Sequence, residues 1–381
     1  MNIIKPITII DSMLTSSNVP DVDNIGTSTT SLLIAVASKT FTTQAGLPFV
    51  AGEWVKAAST ANAANYMYGK ITSYTSTTLV VNVSVNGGSG TLADWKISYG
   101  YDAAATYLDG DQVQISTPQI HKVYESLVSA NVGNYPPTDV LATTPKWLEL
   151  DATNRWKVFD NKVGSQTSQA TTITYKITPG LQINSIALLN LDAAEVVIVM
   201  TDPTDGVVYN QTISLLKTDI TGGGSIDWYS YFFSSFSKIT DVVRLDIPPY
   251  LSAVIDITVN YTGSTAKVGT IVLGVKTSLG TMKYSPSVGI TDYSTKTADV
   301  FGNYTILERA WSKKVKCSLI VPNTWVDDVL NILAYYRSTL LVWIGSEDYT
   351  SLMVYGFYKS FDIVIPYPNF AECSLEIEGL I

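Results

Sequence analysis

His121 is the only histidine in this sequence of 381 residues. The chain therefore has at most one imidazole to serve as a general acid or base, and none to spare for a histidine-rich metal site. No Gly-x-Ser-x-Gly elbow lies near it and prolines stand on both sides, so the residues predict a structural or solvent-facing histidine, not a triad member. Two cysteines, Cys317 and Cys373, are too few for a disulfide framework or a four-thiolate zinc site. Their apolar, strand-like surroundings predict small buried hydrophobes, with mutual pairing as the alternative. Carboxylates approach one another in sequence at Asp202/Asp205, Asp327/Asp328 and Glu347/Asp348. Glycoside hydrolysis needs two carboxylates about 5–10 Å apart in a cleft. Here the first pair reads as a turn, the second as a helix start and the third as a loop. Gly222-Gly223-Gly224-Ser225 lacks the Lys-Ser/Thr that completes a phosphate loop, and no EF-hand spacing of aspartates occurs. The reading is of no catalytic residue, no cofactor and no assigned metal ligand, with Ca²⁺ among the aspartates and backbone carbonyls of a jelly-roll loop as the open alternative.

One segment is chemically richer. Asp227-Trp228-Tyr229-Ser230-Tyr231-Phe232-Phe233 holds five aromatics in seven residues. Aromatic faces stack on sugar C–H surfaces while a nearby carboxylate accepts hydroxyl hydrogen bonds. Asp227, Trp228, Tyr229 and Tyr231 are therefore the candidate ligand-binding residues, for a glycan or for a subunit interface, with core filling as the structural alternative.

Composition narrows the classes further. Hydrophobic residues are 46% and charged residues 15%, against about 25% charged in an average globular protein. Real cores are expected, and wholesale disorder is excluded. The net charge of -9, with arginine only at positions 155, 244, 309 and 337, argues against a nucleic-acid binder built on phosphate neutralisation. Apolar runs are strand-length, far below the roughly 20 residues of a membrane span. The opening Met1-Asn2-Ile3-Ile4-Lys5-Pro6 lacks the basic and apolar regions of an export signal, so a soluble, non-exported chain is expected.

The elements that would carry these residues are mostly strands. Val, Ile, Thr and 23 tyrosines suit a pleated, half-buried surface, and turn residues recur every 8 to 15 positions, as in sandwiches and barrels. Residues 1–101 read as a small β-barrel or sandwich. Residues 102–163 read as a Pro-containing connector packed on its neighbour, with a short helix at 122–127. Residues 164–280 carry seven strand patterns, at 171–177, 183–191, 195–201, 207–215, 241–247, 253–259 and 267–277, and predict a jelly-roll β-sandwich. Residues 281–381 begin with a Tyr/Ser/Thr-rich link and continue as a β-sheet with one packed helix at 324–337. There Val326, Val329, Leu330 and Leu333 repeat at helical spacing, Thr324 or Asn323 is the expected N-cap, and Asp327 and Asp328 fall in the first turn. The fold expectation is mainly β and multidomain.

Two stretches carry a resemblance. Residues 38–99, through Lys39-Thr40-Phe41-Thr42, Gly46-Leu47, residues 62–67 and Gly88-Ser89-Gly90-Thr91 with Asp94-Trp95, resemble a small β module of tailed-bacteriophage tail and fibre proteins. Residues 117–160, through Val123-Tyr124-Glu125-Ser126, Tyr135-Pro136-Pro137, Trp147-Leu148-Glu149-Leu150 and the run Asn154 to Asp160, are similar to the lead-in of phage structural proteins before a jelly roll of the carbohydrate-binding-module type. The ending Glu372-Cys373-Ser374-Leu375-Glu376-Ile377-Glu378-Gly379 resembles the β-plus-helix folds of tail-tube and baseplate proteins. The resemblance implies a structural, non-enzymatic component of a phage tail at the tip, baseplate or collar. It would be made in the host cytoplasm, reside in the virion, and assemble with itself as a trimer or hexamer and with other tail proteins. The alternative is a receptor-binding protein whose jelly roll grips host surface glycan.

Overall fold

The structure is a computed structural model. It describes residues 1–381 except positions 21, 23, 24, 117, 118, 218–236, 299, 348 and 381. Among the described residues the chain is mostly β, with several sheets and one substantial helix, near the C-terminus. Its contacts divide it into two units, residues 19–157 and residues 1–18 with 158–381.

In the unit of residues 19–157, a six-stranded antiparallel sheet runs in the order Gly26–Ser28, Trp95–Tyr99, Trp54–Ser59, Tyr66–Thr75, Thr78–Gly87, Ser38–Thr42. Alternation places Leu79, Val81 and Val83 with Phe41, Ile71, Trp95 and Ile97 in one core, as a period of two requires. A second aromatic core joins Trp54 and Tyr68 of this sheet to Tyr107, Tyr124 and Trp147. Of the connector expected at 102–163, the three-stranded sheet of Gln112–Ile115, Lys122–Ser126 and Trp147–Ala152 is packed onto the small β domain, while residues 158–163 fall in the other unit. The short helix expected at 122–127 is instead the middle strand of that sheet. Val123 and Tyr124 find partners on both sides, and tertiary pairing overrides a weak local helical pattern. The short helix of the region is Pro136–Asp139, where the two prolines occupy the first helical positions, at which a missing N–H costs nothing.

In the other unit, a 14-stranded sheet follows the path Gly206–Ser214, Glu195–Asp202, Val254–Ser278, Asn2–Pro6, Leu341–Ile344, Met353–Val364, Phe370–Gly379, Trp311–Pro322, Thr281–Met282, with further strands branching from it. The first strand of the chain therefore belongs here and not with residues 19–101, a difference from the sequence division. Asn2–Pro6 pairs on one side with Val254–Ser278 and on the other with Leu341–Ile344. Ile3 faces the core beneath the helix and Ile4 faces the opposite core, so one short strand serves two apolar layers. The expected strands 253–259 and 267–277 are one strand of 25 residues, Val254–Ser278. Its partner Thr167–Ile177 steps from Ala170↔Thr265 to Thr172↔Asn260. The turn-like Tyr261-Thr262-Gly263-Ser264 is thus a bulge opposite Thr171, with Gly263 at φ +78°, not a chain reversal.

The helix is Val326–Tyr335, buried through Val329 and Leu333. A 3-10 turn, Asn323–Trp325, precedes it, and Trp325 takes the cap position without a side-chain cap bond. Asn323, expected as a cap, instead donates through Nδ2 to the carbonyls of Tyr367 (3.0 Å) and Pro368 (2.7 Å), tying down a neighbouring loop. Among the described residues no helix is long and apolar enough to cross a membrane.

Candidate interaction surface

The segment expected as a link at 279–303 is a strand of the sheet, Thr281–Met282, followed by the first half of a projecting β arm. Ser287–Asp292 pairs with the start of Trp311–Pro322, from Ser287↔Lys316 to Asp292↔Trp311. The Tyr293 amide donates to the Ala310 carbonyl at 3.2 Å. Beyond that point Thr295–Ala298 pairs only with Tyr304–Leu307, and every described residue of these two strands is exposed. The residues that end the arm, Val300 and Phe301, are 93% and 86% exposed, and Tyr304, Ile306 and Leu307 follow them into solvent. Toward the root, Tyr284, Ile290 and Trp311 are also exposed.

Polar side chains fix the arm where it leaves the sheet. The Tyr293 hydroxyl donates to Glu378 Oε1 at 2.8 Å. Lys359, first, and then Tyr293 hold the Glu378 carboxyl below the usual carboxylate range against the opposing effect of burial. At the step between the two ladders, the Arg309 amide donates to Ser294 Oγ (3.0 Å) and the Ser294 amide to Asp292 Oδ1 (2.9 Å). The Ser294 hydroxyl and amide, followed by the Lys296 ammonium at 3.2 Å, hold the Asp292 carboxyl down to about 2. The root is therefore well specified, whereas the far half is a lone two-stranded hairpin, marginal by itself in water.

Beside the root lies a cavity of about 390 Å³ lined by Leu189, Asp241, Trp311, Lys313, Met353 and Tyr355 among others. Lys313 pairs with the buried Asp241, which also accepts from the Asn190 amide at 3.0 Å. The Tyr355 hydroxyl donates to Asn161 Oδ1 at 2.8 Å, and burial, then the Asp160 charge, pushes this phenol up to about 12. Lys313, Asp241 and Tyr355 thus already have partners, and Leu189, Met353 and Val354 supply apolar wall.

The residues singled out for chemistry fall elsewhere. Asp227, Trp228, Tyr229 and Tyr231 lie outside the described residues, as do Gly222 to Ser225 and Asp348. Asp202 is a turn residue: its Oδ1 accepts from the amides of Thr204 (2.9 Å) and Asp205 (3.2 Å) and its Oδ2 from Ser252 Oγ (2.9 Å). These bonds, the Thr204 amide foremost, lower its pKa. Asp327 and Asp328 occupy the first turn of the helix. His121 is buried and stacks on Trp156, with ring centroids 4.0 Å apart. Cys317 and Cys373 are free and buried in the core under the helix. They face Leu375 and Leu319 across the ladder, and burial, then Cys317, pushes the Cys373 thiol up to about 11.

The sequence reasoning missed the arm because its composition resembles that of a linker. The available signal was a turn, Gly302-Asn303, set between Val300-Phe301 and the alternating Tyr304 and Ile306. Comparison with known protein families and with curated proteins finds no match for this chain.

Proposed function

We propose that this protein is a structural subunit that works by assembling with copies of itself and with neighbouring proteins. On the resemblance of residues 38–99 and 117–160, the assembly is a bacteriophage tail, in which the chain acts as an adaptor at the tip, baseplate or collar. It is made in the host cytoplasm and retained in the virion. Its task is packing, not turnover.

The observation that carries this reading is the arm. Fully burying a large apolar side chain is worth about 1.5–3 kcal/mol, so Val300, Phe301, Tyr304, Ile306 and Leu307 together offer on the order of 10 kcal/mol. That is comparable with the roughly 4–15 kcal/mol that association costs in lost freedom. A monomer that kept the arm in water would forgo this gain and present a sticky, marginal hairpin. Closed point-group symmetry is the usual outcome for identical chains, and a ring of three or six suits a tail.

Native mass spectrometry of the full chain over a range of concentrations tests the self-assembly. A single trimeric or hexameric species is expected, and a chain that stays monomeric at high concentration overturns it. Peptide mass spectrometry of purified particles tests the location. A chain present in infected cells but missing from finished particles overturns the tail assignment.

A further inference from the structure

We infer that the arm end of one copy seats Phe301 in the root cavity of a second copy, which makes the interface head-to-tail. The inference rests on the self-assembly reading above and names the two surfaces that meet. The arm needs a cover: Val300, Phe301, Tyr304, Ile306 and Leu307 are all more than half-exposed. Its two aromatics alone offer about 150–250 Å² each when buried, a large part of the ~800 Å² per partner of a stable interface, and the three aliphatic side chains add to it. The segment 284–311 is nearly neutral, with Asp292, Asp299 and Glu308 against Lys296 and Arg309. Its natural counterpart is accordingly an apolar surface and not a charged one.

The cavity supplies such a surface. An apolar cavity of about 150 Å³ accommodates a benzene ring, and this one measures about 390 Å³. Leu189 and Met353 offer apolar wall, Trp311 stands half-exposed among the lining residues, and the Lys313 ammonium can face an aromatic ring. A copy cannot fill its own cavity. Nine positions separate Phe301 from Ala310, which itself lines the cavity. With the intervening strand extended at about 3.3 Å per residue, the ring is held on the order of 20 Å or more from it. The hydrogen bonds of Thr295–Ala298 with Tyr304–Leu307 keep the two strands of the arm extended, so its end stays at that distance from its own root. A knob and a socket at different places on one chain give a heterologous contact, which generates rings when the rotation closes.

The test uses the full chain and exposed positions. Phe301→Ser and Ala310→Arg are each expected to weaken association at least tenfold, as truncating or blocking an interface anchor does. Leu141→Ser, at an exposed apolar residue in the other unit, is expected to leave association unchanged. Copies carrying Val300→Cys, mixed under mild oxidation with copies carrying Ala310→Cys, are expected to cross-link to one another. Oligomers that persist through both Phe301→Ser and Ala310→Arg overturn the socket while leaving self-assembly intact. Cross-linking of Val300→Cys only with itself replaces it with a symmetric arm-to-arm contact, and equal weakening by Leu141→Ser reduces it to general stickiness. A wild-type chain that never associates removes the self-assembly reading itself.

Discussion

The large sheet meets water in two opposite ways at its two ends. At one end the outer strand Gly206–Ser214 shows solvent Asn210, Gln211 and Thr212, with Val207 as its exposed large apolar residue. At the other end the sheet runs out into the arm, where Val300, Phe301, Tyr304, Ile306 and Leu307 are exposed to solvent. Between them, cross-strand pairs cover the face that the helix leaves open: Lys314 and Lys316 with Glu376, at 2.6 and 3.0 Å, Lys283 with Glu372, and Lys359 with Glu378. Polar edges and charged faces are how natural sheets avoid unwanted pairing. The same chain that protects one edge and one face leaves the arm unprotected, with five large apolar residues exposed between positions 300 and 307.

The sharpest way to break this contrast is to remove the arm. Replacing residues 294–309 by Asn-Gly, a two-residue hairpin turn, should abolish self-association while the far-UV circular dichroism stays that of a folded β protein. Next in size is a comparison of two isoleucines. Ile3→Ala in the sheet centre, where the side chain is 1% exposed, should cost about 2–5 kcal/mol in urea denaturation. Ile306→Ala in the arm should leave the stability of the dilute monomer within about 0.5 kcal/mol and act on association instead. Glu376→Gln, on the paired face, should change stability by no more than about 1 kcal/mol, and by less at high salt.

The smallest effect is acid sensitivity at the arm root. The Asp292 carboxyl is held down to about 2, below its ordinary value of about 3.9, so the folded state favours the ionised form. Its contribution is present above the ordinary value and is lost as pH falls through about 2. Protease resistance of the 292–309 step should therefore be flat from pH 7 to about 5 and decline between about 4 and 2. Asp292→Asn should remove that carboxylate's part of the decline.

Much of the strand plan was legible because alternation is a strong signal wherever one face is buried. Within residues 1–101, read as a small β domain, Leu79, Val81 and Val83 alternate along Thr78–Gly87 and all three are buried. The helix at Val326–Tyr335 was equally legible from Val326, Val329, Leu330 and Leu333. Lys122–Ser126 was not, since five residues hold too short a pattern to tell strand from helix until partners appear on both sides. The candidate site was legible only in part. Tyr304 and Ile306 alternate like any strand, and nothing local distinguishes a strand that packs on a neighbour from one that projects into water.

The sequence by itself determined the β character, the helix and the turn role of Asp202, because periodicity, propensity and side-chain-to-backbone hydrogen bonds act over a few residues. Tertiary structure alone decided that Ile3 and Ile4 sit between strands some 270 and 340 positions away. It also decided that 261–264 is a bulge and that Thr295–Ala298 and Tyr304–Leu307 pair with each other apart from the large sheet. Long-range pairing closes large loops at a cost that grows only slowly with their length, so a short local pattern does not reveal which distant partner completes it.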